Sequence, residues 1–230
     1  MDIQLHYTLC GSGEPLLLLH GNGEDGSYFV HQLEDFSHEF LVCAIDTRGH
    51  GESPMGTAPF TLDQFAEDLL HFMDAHEIES ADILGFSDGG NIALIFALRY
   101  PERVRRLVLN AANLFPEGME PWLLEDLVRE HRALAHAETP EEIHQKQLLE
   151  LMLREPYIDP AELSALTCPT LVIAGDQDMI LKSHTRLIAD SIPGAHLAII
   201  PGPHDCAYRN PADFNTAVER FFEETQEEPL

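Results

Sequence analysis

The chain has 230 residues, of which 44% are hydrophobic, and this suffices for one domain with a substantial buried core. Its 40 acidic residues outnumber its 13 lysines and arginines, so the formal net charge is −27. A field of this sign repels nucleic-acid phosphates and anionic lipid headgroups, and we therefore expect neither nucleic acid nor a membrane as a partner.

The start of the chain lacks a basic segment followed by an apolar core, and no run of 18 apolar residues occurs. These features predict a cytoplasmic protein. The four cysteines are far apart and form no C-x-x-C pair, which predicts free thiols rather than disulfides or a zinc site. The sequence has no P-loop and no dinucleotide fingerprint, so we expect no cofactor and no metal. It leaves open whether the chain forms a homo-oligomer.

Short apolar runs, each bounded by glycine, proline or polar residues, alternate with longer amphipathic segments. Runs that are apolar on both faces are typical of strands buried in a parallel sheet. We predict strands at 16–19, 40–45, 81–84, 107–109, 170–174 and 197–200. We predict helices at 61–76, from near 87 to 100, and at 211–224. This alternation indicates an α/β domain around a mostly parallel sheet.

The region 114–160 breaks the alternation. It contains two helical patterns, at about 121–137 and 140–154, and no strand pattern. A helical insertion between two core strands predicts a lid, with 1–113 and 161–230 forming the core. We expect some apolar side chains of its first helix to line a substrate pocket, and the candidates are Trp122, Leu123 and Leu127.

The pentapeptide Gly85-Phe86-Ser87-Asp88-Gly89 follows a predicted strand and precedes a predicted helix. A G-x-S-x-G sequence in this setting is typical of a nucleophile elbow, a sharp turn that exposes the serine. Gly85 and Gly89 must be small because neighbouring backbone passes close by. An ordinary glycine-rich turn is the alternative, and the strand–turn–helix context favours a nucleophilic Ser87.

Two further polar sites follow predicted strands. Asp176 and Asp178 come after the strand at 170–174, and His204 comes after the strand at 197–200. Open parallel sheets place active sites at the carboxyl ends of their strands. The chain order Ser, Asp, His is the order found in α/β-hydrolases.

The combination of these motifs resembles the α/β-hydrolase superfamily, in its lid-bearing esterase, lactonase and carbon–carbon hydrolase branch. Residues 18–23 resemble the oxyanion loop of that family, and 45–53 resemble its D-x-R-G-H-G-x-S segment. The resemblance implies a mostly parallel sheet with helices on both faces. Only about 15 residues precede Leu16, so there is room for one strand, near 3–9, and the first family strand is expected to be missing, leaving seven.

The resemblance also implies roles for individual residues. Ser87 attacks an acyl carbonyl, His204 transfers the proton, and Asp178 rather than Asp176 orients His204. The backbone N–H groups of Asn22 and Asp88 form the oxyanion hole. Some relatives carry the acid after the preceding strand, where this chain has Asn110 and Asn113, which cannot serve as an acid.

The function predicted from this resemblance is hydrolysis of a small carboxylic ester, thioester or lactone through an acyl-enzyme. One alternative is hydrolysis of a carbon–carbon bond in an anionic substrate, for which Arg132 or Arg154 could supply a cation. A second is a non-catalytic ligand-binding protein, which an intact triad disfavours.

The residue after the nucleophile raises a question of substrate class. Some relatives that cleave amino-acid esters have an aspartate at this position, which meets the substrate's ammonium group. Asp88, with Glu24, Asp25 and the net charge, therefore suggests an amino-bearing substrate. The alternative is that Asp88 only suits the positive end of a helix dipole.

Overall fold

The computed structural model describes residues 2–225. Within them, seven strands form one sheet in the order β1-β3-β2-β4-β5-β6-β7. The first strand pairs antiparallel with β3, and the other neighbouring pairs are parallel. The predicted α/β-hydrolase fold is thereby confirmed. The strands are β1 Tyr7–Gly11, β2 Glu14–Leu19, β3 Phe40–Ile45, β4 Ala81–Phe86, β5 Val104–Asn110, β6 Thr170–Gln177 and β7 His196–Pro203.

Helices cover both faces of the sheet. They are α1 Val30–Phe36, α2 Leu62–Ala75, α3 Asp88–Arg99, α4 Pro121–Ala133, α5 Pro140–Arg154, α6 Lys182–Ser191, α7 Cys206–Arg209 and α8 Pro211–Glu224. Alternate residues of each strand face opposite sides. In β2, Leu17 and Leu19 therefore belong to a buried cluster with α2 and α3, while Leu16 and Leu18 belong to one with α1 and α8. Within residues 2–225, no helix is both long and apolar enough to cross a membrane.

The first strand differs from its predicted position. It spans Tyr7–Gly11 rather than 3–9, and its register begins with Tyr7 opposite Ile45. Ile3 and Leu5 are buried in the α2 cluster although they lie outside the strand. The alternating apolar residues at 3 and 5 are buried, as their spacing indicates, but they do not pair with β3. The strand begins only where pairing with β3 begins, at Tyr7.

The segment between β5 and β6 forms α4 and α5, as the sequence pattern predicts, but α4 ends at Ala133, short of 137. The chain must turn there to reach Thr139, which caps α5 in a capping box with Glu142. Two backbone bonds of 2.8 Å attach the start of this segment to the loop after β6, one from Glu120 N to Met179 O and one from Leu181 N to Gly118 O.

Buried polar contacts hold the loops that follow β2 and β3 at the carboxyl edge of the sheet. Arg48 is fully buried, and its guanidinium donates two bonds of 2.7 Å to Asp68. His20 donates from Nδ1 to Gly21 O and accepts from Thr47 N at Nε2. A buried charge needs such a partner, and a neutral imidazole suits both of its contacts. The loops after β2 and β3 are thereby held together.

The cysteines are free, as predicted. Cys43 and Cys206 are buried, Cys168 is half-buried and Cys10 is exposed.

We predict an acid-dependent loss of stability that depends on His184. Its Nε2 accepts a 2.9 Å hydrogen bond from Leu114 N, and burial lowers the pKa of His184 below its usual value of 6.5. A histidine whose folded-state pKa is lowered contributes stability above pH 6.5 that is lost as the pH falls below it. The variant His184→Gln, in which an amide oxygen can accept the same bond, should therefore lose less stability between pH 7 and pH 5 than the wild type, as measured by urea unfolding. Exposed His71→Gln is the control, and an unchanged slope in His184→Gln would contradict the prediction.

Candidate active site

Ser87 occupies a strained turn between β4 and α3. Its φ of +53° and ψ of −119° lie in a region that side-chain-bearing residues rarely adopt. The turn is held by hydrogen bonds from Ser87 N to Asn110 O at 2.8 Å and from Asn91 N to Ser87 O at 3.0 Å. These bonds link the turn to the end of β5 and to the first turn of α3, so the side chain projects from the carboxyl edge of the sheet.

Two glycines make the turn possible. A Cβ at Gly85 would lie 2.1 Å from Gly89 O, and a Cβ at Gly89 would lie 2.0 Å from Leu19 O. Both separations are far inside van der Waals contact with backbone atoms that cannot move aside. The two glycines of the pentapeptide are therefore required by close backbone packing.

Ser87, His204 and Asp178 lie in one chain of contacts. Ser87 Oγ is 3.0 Å from His204 Nε2, and His204 Nδ1 is 2.7 Å from Asp178 Oδ1. Since a carboxylate only accepts, Nδ1 carries the proton and Nε2 is free to accept from the serine hydroxyl. Asp178 is 1% exposed and His204 is 14% exposed, so the pair is shielded from water. This geometry suits removal of a proton from Ser87.

The two aspartates after β6 have different contacts. Asp178 bonds to His204 and also accepts from Ile180 N at 2.8 Å. Asp176 accepts from Gly202 N at 3.0 Å, two residues before His204, and so supports the end of β7 instead. The structure thus brings Asp178, not Asp176, to the histidine.

Asn22 and Asp88 both line the cavity that contains Ser87. Asp88 is the first residue of α3, and N–H groups in the first turn of a helix have no acceptor within that helix. The helix dipole adds a positive field at the same place. The Asp88 N–H therefore lies beside Ser87 without an acceptor inside α3, and the oxyanion-hole roles of Asn22 and Asp88 stay a prediction.

The Asp88 side chain lies in a network of amides. Its carboxylate accepts from Asn22 Nδ2 at 2.9 Å and from Asn91 Nδ2 at 3.3 Å. Asn91 in turn donates to Asn113 Oδ1 at 3.0 Å. No sequence pattern predicts this network, because its members come from the loop after β2, from α3 and from the loop after β5.

The cavity at Ser87 has a volume of about 170 Å³. Its apolar side chains come from β4, α4, α5 and the loops before α4 and after β6. Its polar side chains come from the loops after β2, β5 and β7, from Ser87 and α3, and from the end of α5. It is lined by Gly21, Asn22, Glu24, Phe86, Ser87, Asp88, Asn113, Met119, Leu123, Met152, Glu155, Met179, Ile180 and His204. A space of this size accommodates a small group.

The three α4 residues expected at the pocket have different positions. Leu123 lines the cavity. Trp122 is 53% exposed and borders an open depression on the outer side of His204, because α4 turns this position away from the core. Leu127 is buried in a cluster between α4 and α5, where it packs the two helices together. Of the three, only Leu123 lines the cavity at Ser87, whereas Trp122 and Leu127 lie outside it, and a role of these residues in substrate binding stays a prediction.

Three carboxyl groups line the cavity: those of Glu24, Asp88 and Glu155. Burial is the main cause that raises the pKa of each, and it raises that of Glu24 to about 7. Glu155 was not singled out from the sequence. It lies at the end of α5 and its Oε2 accepts from Leu62 N at 2.7 Å, a contact that only the folded arrangement creates.

The chain is similar to known hydrolases in both sequence and structure. Residues 14–150 match the family described as the alpha/beta hydrolase fold. The chain is 28% identical to the mouse serine hydrolase BPHL, covering 96% of this chain and 84% of that protein. It is 33% identical to a 2-hydroxymuconate semialdehyde hydrolase from Pseudomonas sp., covering 82% and 79%. The structure of Est816, an N-acyl homoserine lactone degrading enzyme, is similar with a TM-score of 0.80 at 27% identity, covering 95% and 97%.

We predict that Glu24 costs the protein stability at alkaline pH. A carboxyl whose folded-state pKa is raised to about 7 destabilises the fold increasingly as the pH rises from 4.5 through 7. Glu24→Gln should therefore raise the free energy of unfolding at pH 8, on the order of 1 kcal/mol after allowance for solvent screening, and leave it unchanged near pH 4. Urea titrations at both pH values, with exposed Glu34→Gln as control, measure the difference. Equal effects at pH 4 and pH 8 would argue against a raised pKa.

Proposed function

Because the chain belongs to the α/β-hydrolase family and is an enzyme of the hydrolase type, we propose that it cleaves a small carboxylic ester, thioester or lactone through an acyl-enzyme on Ser87. The observation that carries this proposal is the contact series from Ser87 Oγ through His204 to Asp178, with distances of 3.0 and 2.7 Å. These are the distances that a nucleophile, its base and the orienting acid need.

In the proposed reaction, His204 Nε2 takes the proton of Ser87 while Oγ attacks the acyl carbonyl. The imidazolium that forms is stabilised by the Asp178 carboxylate. The backbone N–H groups of Asn22 and Asp88 receive the oxyanion of the tetrahedral intermediate. His204 then protonates the leaving group, and a water activated by the same nitrogen hydrolyses the acyl-enzyme.

The cavity supports a small, partly apolar acyl group. Its volume of about 170 Å³ is below the roughly 300 Å³ at which sites for larger organic ligands begin. Met119, Leu123, Met152 and Ile180 offer flexible apolar contacts. The name of one similar protein, an N-acyl homoserine lactone degrading enzyme, agrees with a lactone among the candidate substrates.

Hydrolysis of a carbon–carbon bond in an anionic substrate is less well supported. Among residues 2–225, no lysine or arginine lines the cavity. Arg132 is exposed, and Arg154 is 70% exposed and lies 3.8 Å from Glu150. Since the cavity also contains three carboxyl groups, a negatively charged substrate would meet repulsion rather than a partner.

The same carboxyl groups favour an acyl part that carries an amino group. Asp88 is 7% exposed and lies next to the nucleophile, so an ammonium group on the acyl chain would approach it from within the cavity. A charge pair in this low-dielectric site is stronger than in water. Amino-bearing esters are therefore the substrate subclass to test first.

We expect Ser87→Ala to abolish turnover of a p-nitrophenyl ester panel, by at least about 10⁴-fold in kcat. The variant should also no longer react covalently with a fluorophosphonate, whereas the wild type should be labelled on Ser87. Exposed Ser164→Ala is the control and should behave as the wild type. Wild-type turnover in Ser87→Ala would refute the acyl-enzyme proposal.

We expect Asp88→Asn to reduce the ratio of kcat/KM on aminoacyl esters to that on plain acyl esters by about 10-fold, the loss of roughly 1.4 kcal/mol of charge interaction. The substitution retains the backbone N–H. The measurement compares matched ester pairs at one ionic strength, with exposed Asp190→Asn as control. An unchanged ratio would leave Asp88 with no part in amine recognition.

A further inference from the structure

The Asn22 side chain makes two hydrogen bonds that join distant parts of the chain. Its Nδ2 donates to Asp88 Oδ2 at 2.9 Å and to Leu148 O at 3.2 Å. Leu148 lies in α5, 126 residues further along the chain. An amide nitrogen carries two hydrogens, so each contact uses one of them and neither competes with the other.

These contacts connect the two residues that offer oxyanion donors. The backbone N–H groups of Asn22 and Asp88 are the donors in the proposed mechanism, and the Asn22 side chain is bonded to the Asp88 side chain. A bond to a carboxylate is stronger than one between neutral groups. The hydrogen bond between the Asn22 and Asp88 side chains thereby links the positions of the two backbone donors.

The bond between Asn22 and the carbonyl of Leu148 is not needed for the stability of α5. A carbonyl within a helix already accepts a bond from the N–H four residues later, so the bond from Asn22 is an additional one. The contact can therefore break without disrupting α5. Just past the C-terminal end of α5, Glu155 Oε2 accepts a 2.7 Å bond from the backbone N of Leu62, the first residue of α2.

The loss of the contact with α5 has a consequence at the nucleophile. If α5 moves away, Asn22 loses one acceptor and the Asn22 side chain is free to turn towards water. Asp88, which is buried, would then keep a single amide partner, Asn91. Burial of an incompletely paired carboxylate is unfavourable, so the turn that carries the second donor would relax as well.

We propose that Asn22 is a positioning residue that couples the seating of α5 over the cavity to the geometry of the oxyanion hole. The inference rests on the proposed function. With α5 seated, both donors are fixed and the acyl group is covered; with α5 displaced, the hole is incomplete. Acyl transfer is then confined to the covered state, in which the reacting carbonyl is separated from bulk water.

The test uses Asn22→Ala and Asn22→Ser, since serine retains one donor for two acceptors. Exposed Ile143→Ala, on α5 itself, is the control. We expect Asn22→Ala to lower kcat on a p-nitrophenyl ester by about 10-fold or more with KM changed by less than about threefold, because the lost contact acts in the transition state. Affinity for an alkyl boronic acid, which forms a tetrahedral adduct with the serine, should fall in parallel. Asn22→Ser should lie between Asn22→Ala and the wild type.

Hydrogen exchange of the unliganded protein provides the second readout. Backbone amides of α5 should exchange several-fold faster in Asn22→Ala, while those of α3 and α8 change less. Exchange depends on no turnover, so it judges the contact with α5 even if Ser87→Ala disproves the proposed function. If Asn22→Ala does not fold, Asn22→Ser carries the same comparison.

Three results would overturn the proposal. The first is wild-type kcat and boronic acid affinity in both variants. The second is a lower kcat with unchanged exchange in α5, which would restrict Asn22 to a local role at the hole. The third is a raised KM with unchanged kcat, which would make Asn22 a substrate-binding residue only.

Discussion

The strained turn at Ser87 is the constraint on which the rest of the site depends. It exists because Gly85, Gly89 and the end of β2 pass one another at distances that exclude a Cβ. The strain of a positive φ at a serine is offset by hydrogen bonds to Asn110 and Asn91 and by the burial of both flanking elements. Tight packing of β2, β4 and α3 is therefore the structural condition for the position of Ser87 at the carboxyl edge of the sheet.

The parallel sheet places the partners of this turn. β4, β6 and β7 all end at the same edge, and they deliver Ser87, Asp178 and His204 respectively. In the sheet β5 separates β4 from β6, and the His204 imidazole contacts both Ser87 and Asp178 across this distance. Asp176 adds support by bonding to the end of β7, so the histidine loop is held from β6 at two points.

The electrostatics of the cavity come from the same arrangement. Three carboxyl groups and a buried amide network lie around Ser87 at the positive end of α3. Burial raises the pKa of each of these carboxyl groups, so ionising them inside the cavity is unfavourable. Side chains of α4 and α5 line this cavity, and the Asn22 side chain is hydrogen-bonded both to Leu148 O of α5 and to Asp88.

The sequence by itself determined the fold class and most strands, because these depend on local patterns. It also predicted Ser87, Asp178 and His204 as one group, and the structure brings these three side chains within hydrogen-bond distance. A glycine pair around a serine, an apolar run before it and polar residues after later strands are all readable within a few residues. The choice of Asp178 over Asp176 came from the family pattern, and the hydrogen bond to His204 agrees with it.

The tertiary structure alone decided which side chains meet across the cavity. Trp122 and Leu127 have the apolar character of pocket residues, but the rotation of α4 exposes one and packs the other against α5. Glu155 contacts Leu62, which is 93 positions away, and the side chain of Asn22 contacts Leu148, which is 126 positions away. Such contacts depend on how separate elements pack, and no periodicity or spacing along the chain records that packing.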